Sequence, residues 1–193
     1  MSSLPPTYFD DVYRASDDPW SFETSDYERR KYAATLAALS KPRYQSAFEI
    51  GCSIGVLTQQ LADRCDQLLA VDASELPLVK ARQRLADRPT VSLKQLAIPV
   101  DFPAGPFDLI LVSEVGYYLS MDDLTIARQC MIDALETGGE LLLVHWTPFV
   151  HDYPLTGDTV HDFFSQAAES DGPLEHKLGQ RADTYRLDLF RKR

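Results

Sequence analysis

No run of apolar residues in this chain of 193 approaches the roughly 20 that a membrane-spanning helix needs. The N-terminus, MSSLPPTYFDD, has no basic stretch leading into an apolar one, so no secretory leader is expected and the cytoplasm is the expected compartment. Cysteine is scarce. Cys52, Cys65 and Cys130 are odd in number and form neither a CxxC pair nor a Cys/His ligand spacing, which argues against a disulfide framework and a zinc site. Positive charge is also short: 19 Lys and Arg stand against 29 Asp and Glu, a net charge of −10. Such a chain has little hold on nucleic-acid phosphates or anionic lipid, so the expected partner is a neutral or cationic small molecule. Internal repeats are absent, and nothing in the sequence bears on the oligomeric state.

What is present is an alternation of short β-rich apolar runs with longer amphipathic stretches, the pattern of a parallel sheet with crossover helices. The expected strands are residues 46–51, 67–72, 91–96, 107–112 and 139–145, several of them apolar on both faces as central parallel strands are. Helices are expected over Val56–Arg64, Glu75–Ala86 and Asp122–Leu135, with Ser74 and Ser120 as N-caps of the last two. In PLEHKLG, Leu174, His176 and Leu178 share a face, and in TYRLDLF so do Tyr185, Leu187 and Leu189; these read as a closing antiparallel pair. Residues 1–45 have helical and turn character. Ser25 and Glu28 have capping-box spacing before YERRKYAATLAAL, and DDPWSFE is a turn carrying Trp20 and Phe22. The length fits one domain, residues 1–193, in which 1–45 form an N-terminal helical cap on a cofactor-binding sheet of 46–193.

The first strand runs into FEIGCSIGVLT, a glycine turn of the kind that lets backbone approach a nucleotide. A dinucleotide fingerprint would need glycines where Ser53 and Val56 stand; the second glycine is Gly55, and the fit to a pyrophosphate cradle is poor. A phosphate-free nucleoside fits better. It requires an acid near the end of the first strand for an ammonium group and another at the end of the second for ribose hydroxyls, and Glu49 and Asp72 stand there. A plain strand–turn–helix remains the alternative for this motif alone.

Glu49-Ile-Gly51-Cys-Ser53-Ile-Gly55 resembles the first motif of the class I S-adenosylmethionine-dependent methyltransferases, E/D-x-G-x-G-x-G, with Ser53 in place of the middle glycine. GPFDLILVSEVGYYL looks like that family's fourth-strand segment, and ALETGGELLLVHW like its L-x-P-G-G-x-L turn, with Thr137 where proline is usual. DDPWSFETSDYERRKY, SEVGYYL and HWTPFVHDYPLTGDTVHDFF further resemble the nodulation protein S family, methyltransferases acting on the free amine of a deacetylated chitooligosaccharide; the likeness runs from about Tyr8 to Phe164. The resemblance implies an α/β, Rossmann-like fold: a mostly parallel seven-stranded sheet with helices on both faces, an antiparallel C-terminal strand and an N-terminal helical lid. It implies S-adenosylmethionine as cofactor, with S-adenosylhomocysteine as product. The cofactor residues it implies are Glu49, Gly51, Cys52, Ser53, Gly55, Asp72, Ala73 and Ser113, with Leu96, Ala97 and Ile98 on the adenine side and Trp20 and Arg30 from the cap.

Methyl transfer from a sulfonium needs alignment and exclusion of water rather than a covalent nucleophile. An amine acceptor must arrive neutral, which calls for a group that takes its proton; Glu114 and His145, beyond strands four and five, are the candidates. Each has a structural alternative, Glu114 as an N-cap-like or solvated loop acid and His145 as a hydrogen-bonded residue at a strand end. Tyr117 and Tyr118 fit an acceptor pocket or a stack on the sulfonium, and fit core packing too. Trp146, His151 and Tyr153 are the other acceptor-side candidates, and the histidines and Asp152 of the 147–165 segment match no metal spacing. An O- or S-methyltransferase and a non-catalytic cofactor-binding domain stand as alternatives, while Val56 disfavours a nicotinamide dehydrogenase.

Overall fold

The computed structural model describes all 193 residues, Met1–Arg193. In chain order the elements are α1 (Pro6–Ala15), α2 (Asp26–Ala38), β1 (Tyr44–Ile50), α3 (Val56–Ala62), β2 (Cys65–Asp72), α4 (Glu75–Arg84), β3 (Val91–Gln95), β4 (Phe107–Ser113), a 3₁₀ turn (Gly116–Tyr118), α5 (Met121–Ala134), β5 (Leu135–Trp146), α6 (Gly157–Gln166), β6 (Leu174–Arg181) and β7 (Tyr185–Lys192). The strands form one seven-stranded sheet in the order β3-β2-β1-β4-β5-β7-β6. β1 to β5 pair in parallel, and β7 runs antiparallel to both of its neighbours. No helix is long and apolar enough to cross a membrane.

Alternation along the strands divides the core. Leu109, Leu111, Leu142, Val144, Leu187 and Leu189 face the side covered by Tyr32 and Ala38 of α2 and Leu57 and Leu61 of α3. Phe48, Ile110, Val112, Leu141, Leu143 and Phe190 face the other, against Leu124, Ala127 and Met131 of α5 and Val160 and Phe164 of α6. Ser25, Ser74 and Ser120 cap α2, α4 and α5, their hydroxyls accepting from Glu28 N (3.3 Å), Leu76 N (3.2 Å) and Asp123 N (3.1 Å). The start of β1 is fastened to β4 by the buried Asp108 carboxylate, which accepts from Gln45 N at 2.8 Å and Ser46 N at 2.9 Å.

Several boundaries differ from the sequence reading. The helix expected to end at Leu135 stops at Ala134, because Leu135 turns extended and pairs with Phe107; β5 therefore begins four residues before the expected start at Gly139, with a register shift opposite Phe107–Leu109. α3 stops at Ala62, which frees Arg64 to donate from Nη1 to Leu36 O (2.6 Å) and from Nη2 to Lys41 O, closing the α2–β1 connection. The shared face expected of Leu174, His176 and Leu178 is broken by a bulge between His176 and Leu178, so Leu178 pairs with Leu189 and joins the α2–α3 side. The cap contains a first helix, α1, that periodicity did not outline.

Phe48 is fully buried in β1, stacked on Phe107 at 5.1 Å between centroids and edge-on to Phe102 at 5.5 Å. Phe48→Ala is expected to lower the unfolding free energy by about 3–5 kcal/mol in urea titrations followed by circular dichroism.

Candidate active site

β1 lies where the strand order reverses, between β2 and β4, and a cavity of about 520 Å³ opens beside the carboxyl ends of these strands. Its floor is the turn after β1, where Gly51, Ser53 and Gly55 all take left-handed backbone, at φ +84°, +51° and +79°. A Cβ on Gly51 would strike the Val115 side chain and stand 3.1 Å from the Ser113 carbonyl, so the turn after β4 presses directly on it. Gly55 caps α3, and a Cβ there would come within 3.2 Å of Ala81 and of Leu85.

Two buried carboxyls flank this turn. Glu49, near the end of β1, has an Oε2 with no hydrogen-bond partner; burial pushes its carboxyl up to about 7, with the neighbouring Thr58 hydroxyl offsetting part of the shift. Asp72 ends β2 and accepts from Ser53 N through Oδ2 and from Ser74 N through Oδ1, each at 3.0 Å. Burial pushes it up to about 6, against the pull of the Ser74, Ser53 and Ala73 amides. Cys52, Ala73, Leu96, Ala97, Ile98 and Ser113 complete this part of the wall.

The turn after β4 carries a third acid. Glu114 has φ +60°, a strained position for a side chain other than glycine. Its Oε1 takes the Lys31 ammonium of α2 at 2.5 Å, and its Oε2 accepts from Tyr117 OH at 2.6 Å and Trp146 N at 2.8 Å. Lys31 also donates to Glu28 at 3.0 Å; burial alone depresses its pKa, but Glu114 and Glu28 hold it above the ordinary lysine value. Burial and Glu114 both push the Tyr117 phenol well up. Tyr117 stacks on Tyr153 at 5.1 Å, Tyr118 meets Tyr153 edge-on at 4.8 Å, and all three line the cavity together with Trp146.

The N-terminal segment forms the remaining wall. Leu4 N donates to Tyr118 O at 2.9 Å, Ser3 Oγ accepts from Ser120 N at 2.7 Å and donates to Asp123, and Ser74 Oγ donates to Asp10 Oδ1 at 2.6 Å. The Tyr13 and Ser53 hydroxyls are bonded at 2.5 Å, and Trp20 packs edge-on to Tyr13 at 5.7 Å. Helix α1 is thus strapped from the turn after β4 to those after β1 and β2.

Of the residues singled out in the sequence, the cavity brings together Trp20, Glu49, Gly51, Cys52, Ser53, Asp72, Ala73, Leu96, Ala97, Ile98, Ser113, Glu114, Tyr117, Tyr118, Trp146 and Tyr153. Four lie elsewhere. Gly55 serves packing against α4. Arg30 is exposed on the outer face of α2 and His151 on the surface of the loop after β5. His145 is fully buried behind the 3₁₀ turn with both ring nitrogens engaged, Nε2 accepting from Gly116 N and Nδ1 facing His161, so it is not poised to take a proton from a ligand in the cavity. Among the cavity residues that sequence reasoning did not assign to the site are Tyr13, Glu28 and Lys31. The four-residue step from Tyr27 to Lys31, which puts both on the face of α2 turned to the cavity, was the available signal for Lys31.

The family profile of Nodulation protein S (NodS) matches residues 11–145. Nodulation protein S of Rhizobium tropici is 30% identical over 130 residues, 66% of this chain and 55% of that protein. That of Bradyrhizobium diazoefficiens is 36% identical over 106 residues, 54% of this chain and 51% of that protein. This chain thus spans about half the length of the curated relatives it matches. Solved structures match nearly end to end. N-methyltransferase NodS from Bradyrhizobium japonicum WM9, in complex with S-adenosyl-L-homocysteine, superposes with a TM-score of 0.80 at 28% identity, covering 95% of this chain and 97% of that one. A crystal structure from Pseudomonas syringae gives 0.73 at 39% identity, covering 86% and 99%. The sheet order, the glycine turn with its two acids and the profile match over most of the chain agree, and this chain belongs to the nodulation protein S family, with the class I methyltransferase fold.

Proposed function

We propose that this chain is an S-adenosylmethionine-dependent N-methyltransferase whose acceptor is the free amine of a small molecule of the amino-sugar class, deacetylated chitooligosaccharides among them. The observation that carries the reading is Glu114, a carboxylate paired with a buried ammonium and lining the same cavity as Glu49 and Asp72. The residues present fit the cofactor. The unpartnered Oε2 of Glu49 needs a donor, which an amino-acid ammonium supplies. Asp72 has lone pairs beyond those used by the Ser53 and Ser74 amides, enough for two ribose hydroxyls. Leu96, Ala97 and Ile98 offer an apolar wall to a base.

The bound cofactor supplies a methyl group already activated on a sulfonium. The methyl group would pass to the acceptor's nitrogen lone pair, leaving the thioether product, and the proton shed by the amine would go to Glu114. Lys31, Tyr117 and the Trp146 amide fix the carboxylate for that task. Tyr117, Tyr118, Tyr153 and Trp146 exclude water and present ring faces to a cationic centre. In this reading the 193 residues act as one domain, with α1 and α2 as its cap, and the three unpaired cysteines fit a reducing cytoplasm.

With glucosamine and deacetylated chitooligosaccharides as acceptors and labelled cofactor as donor, Glu114→Gln is expected to lower kcat by about 10²–10⁴-fold. Its affinity for S-adenosylhomocysteine, read by calorimetry, should stay near wild type; full turnover by this variant would remove Glu114 from the reaction.

Cofactor affinity should also depend on pH in a defined direction. Glu49 and Asp72 bind as anions, and their carboxyls sit at about 7 and about 6 in the free protein. Affinity is therefore full above about 7, falls about tenfold per pH unit below that, and falls more steeply below about 6 where both groups take protons. Glu49→Gln should bind more weakly at alkaline pH and lose the upper of the two steps; calorimetric titrations across the range would expose a pH-independent affinity, the result that contradicts the assignment.

A further inference from the structure

The buried polar groups that the reaction does not use are concentrated between β5, α6, β7 and β6. Asp188 of β7 is 2% exposed. Its Oδ2 takes His161 Nδ1 at 2.6 Å and Arg186 Nε at 2.7 Å, and its Oδ1 takes His176 Nε2 at 2.6 Å. His161 Nε2 faces His145 Nδ1 at 3.0 Å, and His145 Nε2 accepts the Gly116 amide at 3.0 Å. His145 and His161 are fully buried, and His176 ends the array at the surface.

Proton counting fixes every link. Asp188, beside the Arg186 guanidinium, is an anion and only accepts, so His161 carries its proton on Nδ1. A neutral imidazole has one N–H, which leaves His161 Nε2 as an acceptor and obliges His145 to donate from Nδ1. His145 Nε2 is then a lone pair, the one form that can hold the Gly116 N–H. Burial holds both imidazoles below the ordinary histidine range, in keeping with neutral rings.

We infer that His145, His161 and Asp188 are positioning residues: a tautomer relay, set at Asp188, that clamps the turn carrying Glu114 and Tyr117 through the Gly116 amide. The turn is held to β5 by three bonds, Glu114 N to Val144 O (2.9 Å), Trp146 N to Glu114 Oε2 (2.8 Å) and Gly116 N to His145 Nε2 (3.0 Å). There is no room for a side chain at Gly116, where a Cβ would stand 2.6 Å from Val160 Cγ1 and 3.0 Å from His145 Nε2. The backbone is pressed on the ring, so the ring's protonation pattern decides whether the turn is held or repelled. Glu114, two residues before Gly116, keeps its left-handed backbone within this clamp. The effect on turnover rests on the proposed role of Glu114; the tautomers do not.

The test begins with ¹⁵N-histidine NMR of the wild-type protein without acceptor. His145 and His161 should each show a protonated Nδ1 and an unprotonated Nε2. A His145 protonated on Nε2, or an imidazolium at either position at neutral pH, overturns the relay. In His161→Phe, the Nδ1–H of His145 loses its acceptor while the Gly116 amide still favours an unprotonated Nε2, so an Nε2-protonated fraction of His145 should become detectable and exchange of the Gly116 amide should quicken; no change in either would mean that His161 sets nothing. His145→Phe removes the acceptor of the Gly116 amide. It should speed hydrogen exchange of that amide and lower kcat by on the order of 10-fold to 100-fold, with S-adenosylhomocysteine affinity retained. His145→Gln, whose side-chain oxygen can accept the same N–H, should recover both, and its failure to do better than Phe would count against the clamp. An active Glu114→Gln enzyme would remove the proposed base and leave the relay standing, whereas wrong tautomers would remove the relay alone.

Discussion

The carboxylate of Asp72 is the joint on which the ligand-facing end of the sheet is built. Its two oxygens take the backbone amides of Ser53 and Ser74, tying the turn after β1 to the turn after β2. The hydroxyls of those same two serines are taken by α1, through Tyr13 and Asp10. One buried acid therefore organises two turns, and the side chains of those turns hold the N-terminal helix. Leaving any of these groups unpaired away from water would be costly, so the network is cooperative: the glycine turn, the cap of α4 and α1 keep their positions together.

Charge inside the cavity is unbalanced. Glu28, Glu49, Asp72, Glu114 and Asp123 line it, and Lys31 is the one lysine or arginine among its lining residues. Lys31 is shared between Glu28 and Glu114, which leaves Glu49 and Asp72 with no cation of their own. Burial raises the pKa of both of these acids, because no cation offsets the cost of holding their charge away from water. On the proposed reading, a cationic donor would supply what is missing at Glu49, and an acceptor that sheds a proton would suit Glu114. The net negative charge of the chain thus has a counterpart in the lining of the cavity.

Most of the strands were legible because central parallel strands must be apolar on both faces, and runs such as FDLILV and ELLLVH have few other readings. The early start of β5 was not, since Glu136, Thr137 and Gly138 carry no apolar pattern, and the strand's first pairing, Leu135 with Phe107, is separated by a register shift from the ladder that resumes at Glu140. α1 starts at Pro6 behind Pro5, whose side chain makes no cap bond, so no Ser, Thr, Asp or Asn marks its beginning. Glu49, Asp72 and Glu114 could be found because each sits at a strand end, where topology converges. Arg30 is exposed on α2, whereas Lys31, about 100° of azimuth further on and in a four-residue row with Tyr27 and Thr35, is buried in the cavity wall. His145 takes the second of its two readings, a hydrogen-bonded residue at a strand end. It has the parity of Leu141 and Leu143, whose face is covered by α5 and α6, whereas its neighbour Trp146 turns to the cavity.

Two residues of the cavity, Ser53 and Glu114, hold left-handed backbone without being glycine, at a cost on the order of 1–3 kcal/mol each. Both have their side chains bonded to the N-terminal segment, Ser53 to Tyr13 of α1 and Glu114 to Lys31 of α2. A glycine at position 53 would relax the turn and lose its hold on α1; at 114 it would relax the turn and lose the only carboxylate that Tyr117 and the Trp146 amide share. Strain at these two positions is therefore the local cost of joining each turn to a cap helix. The cap is no separate cover on a finished site, because the two turns that shape the cavity owe their side-chain contacts to it. The departure from glycine at the middle of the first motif becomes a structural requirement once α1 is in place.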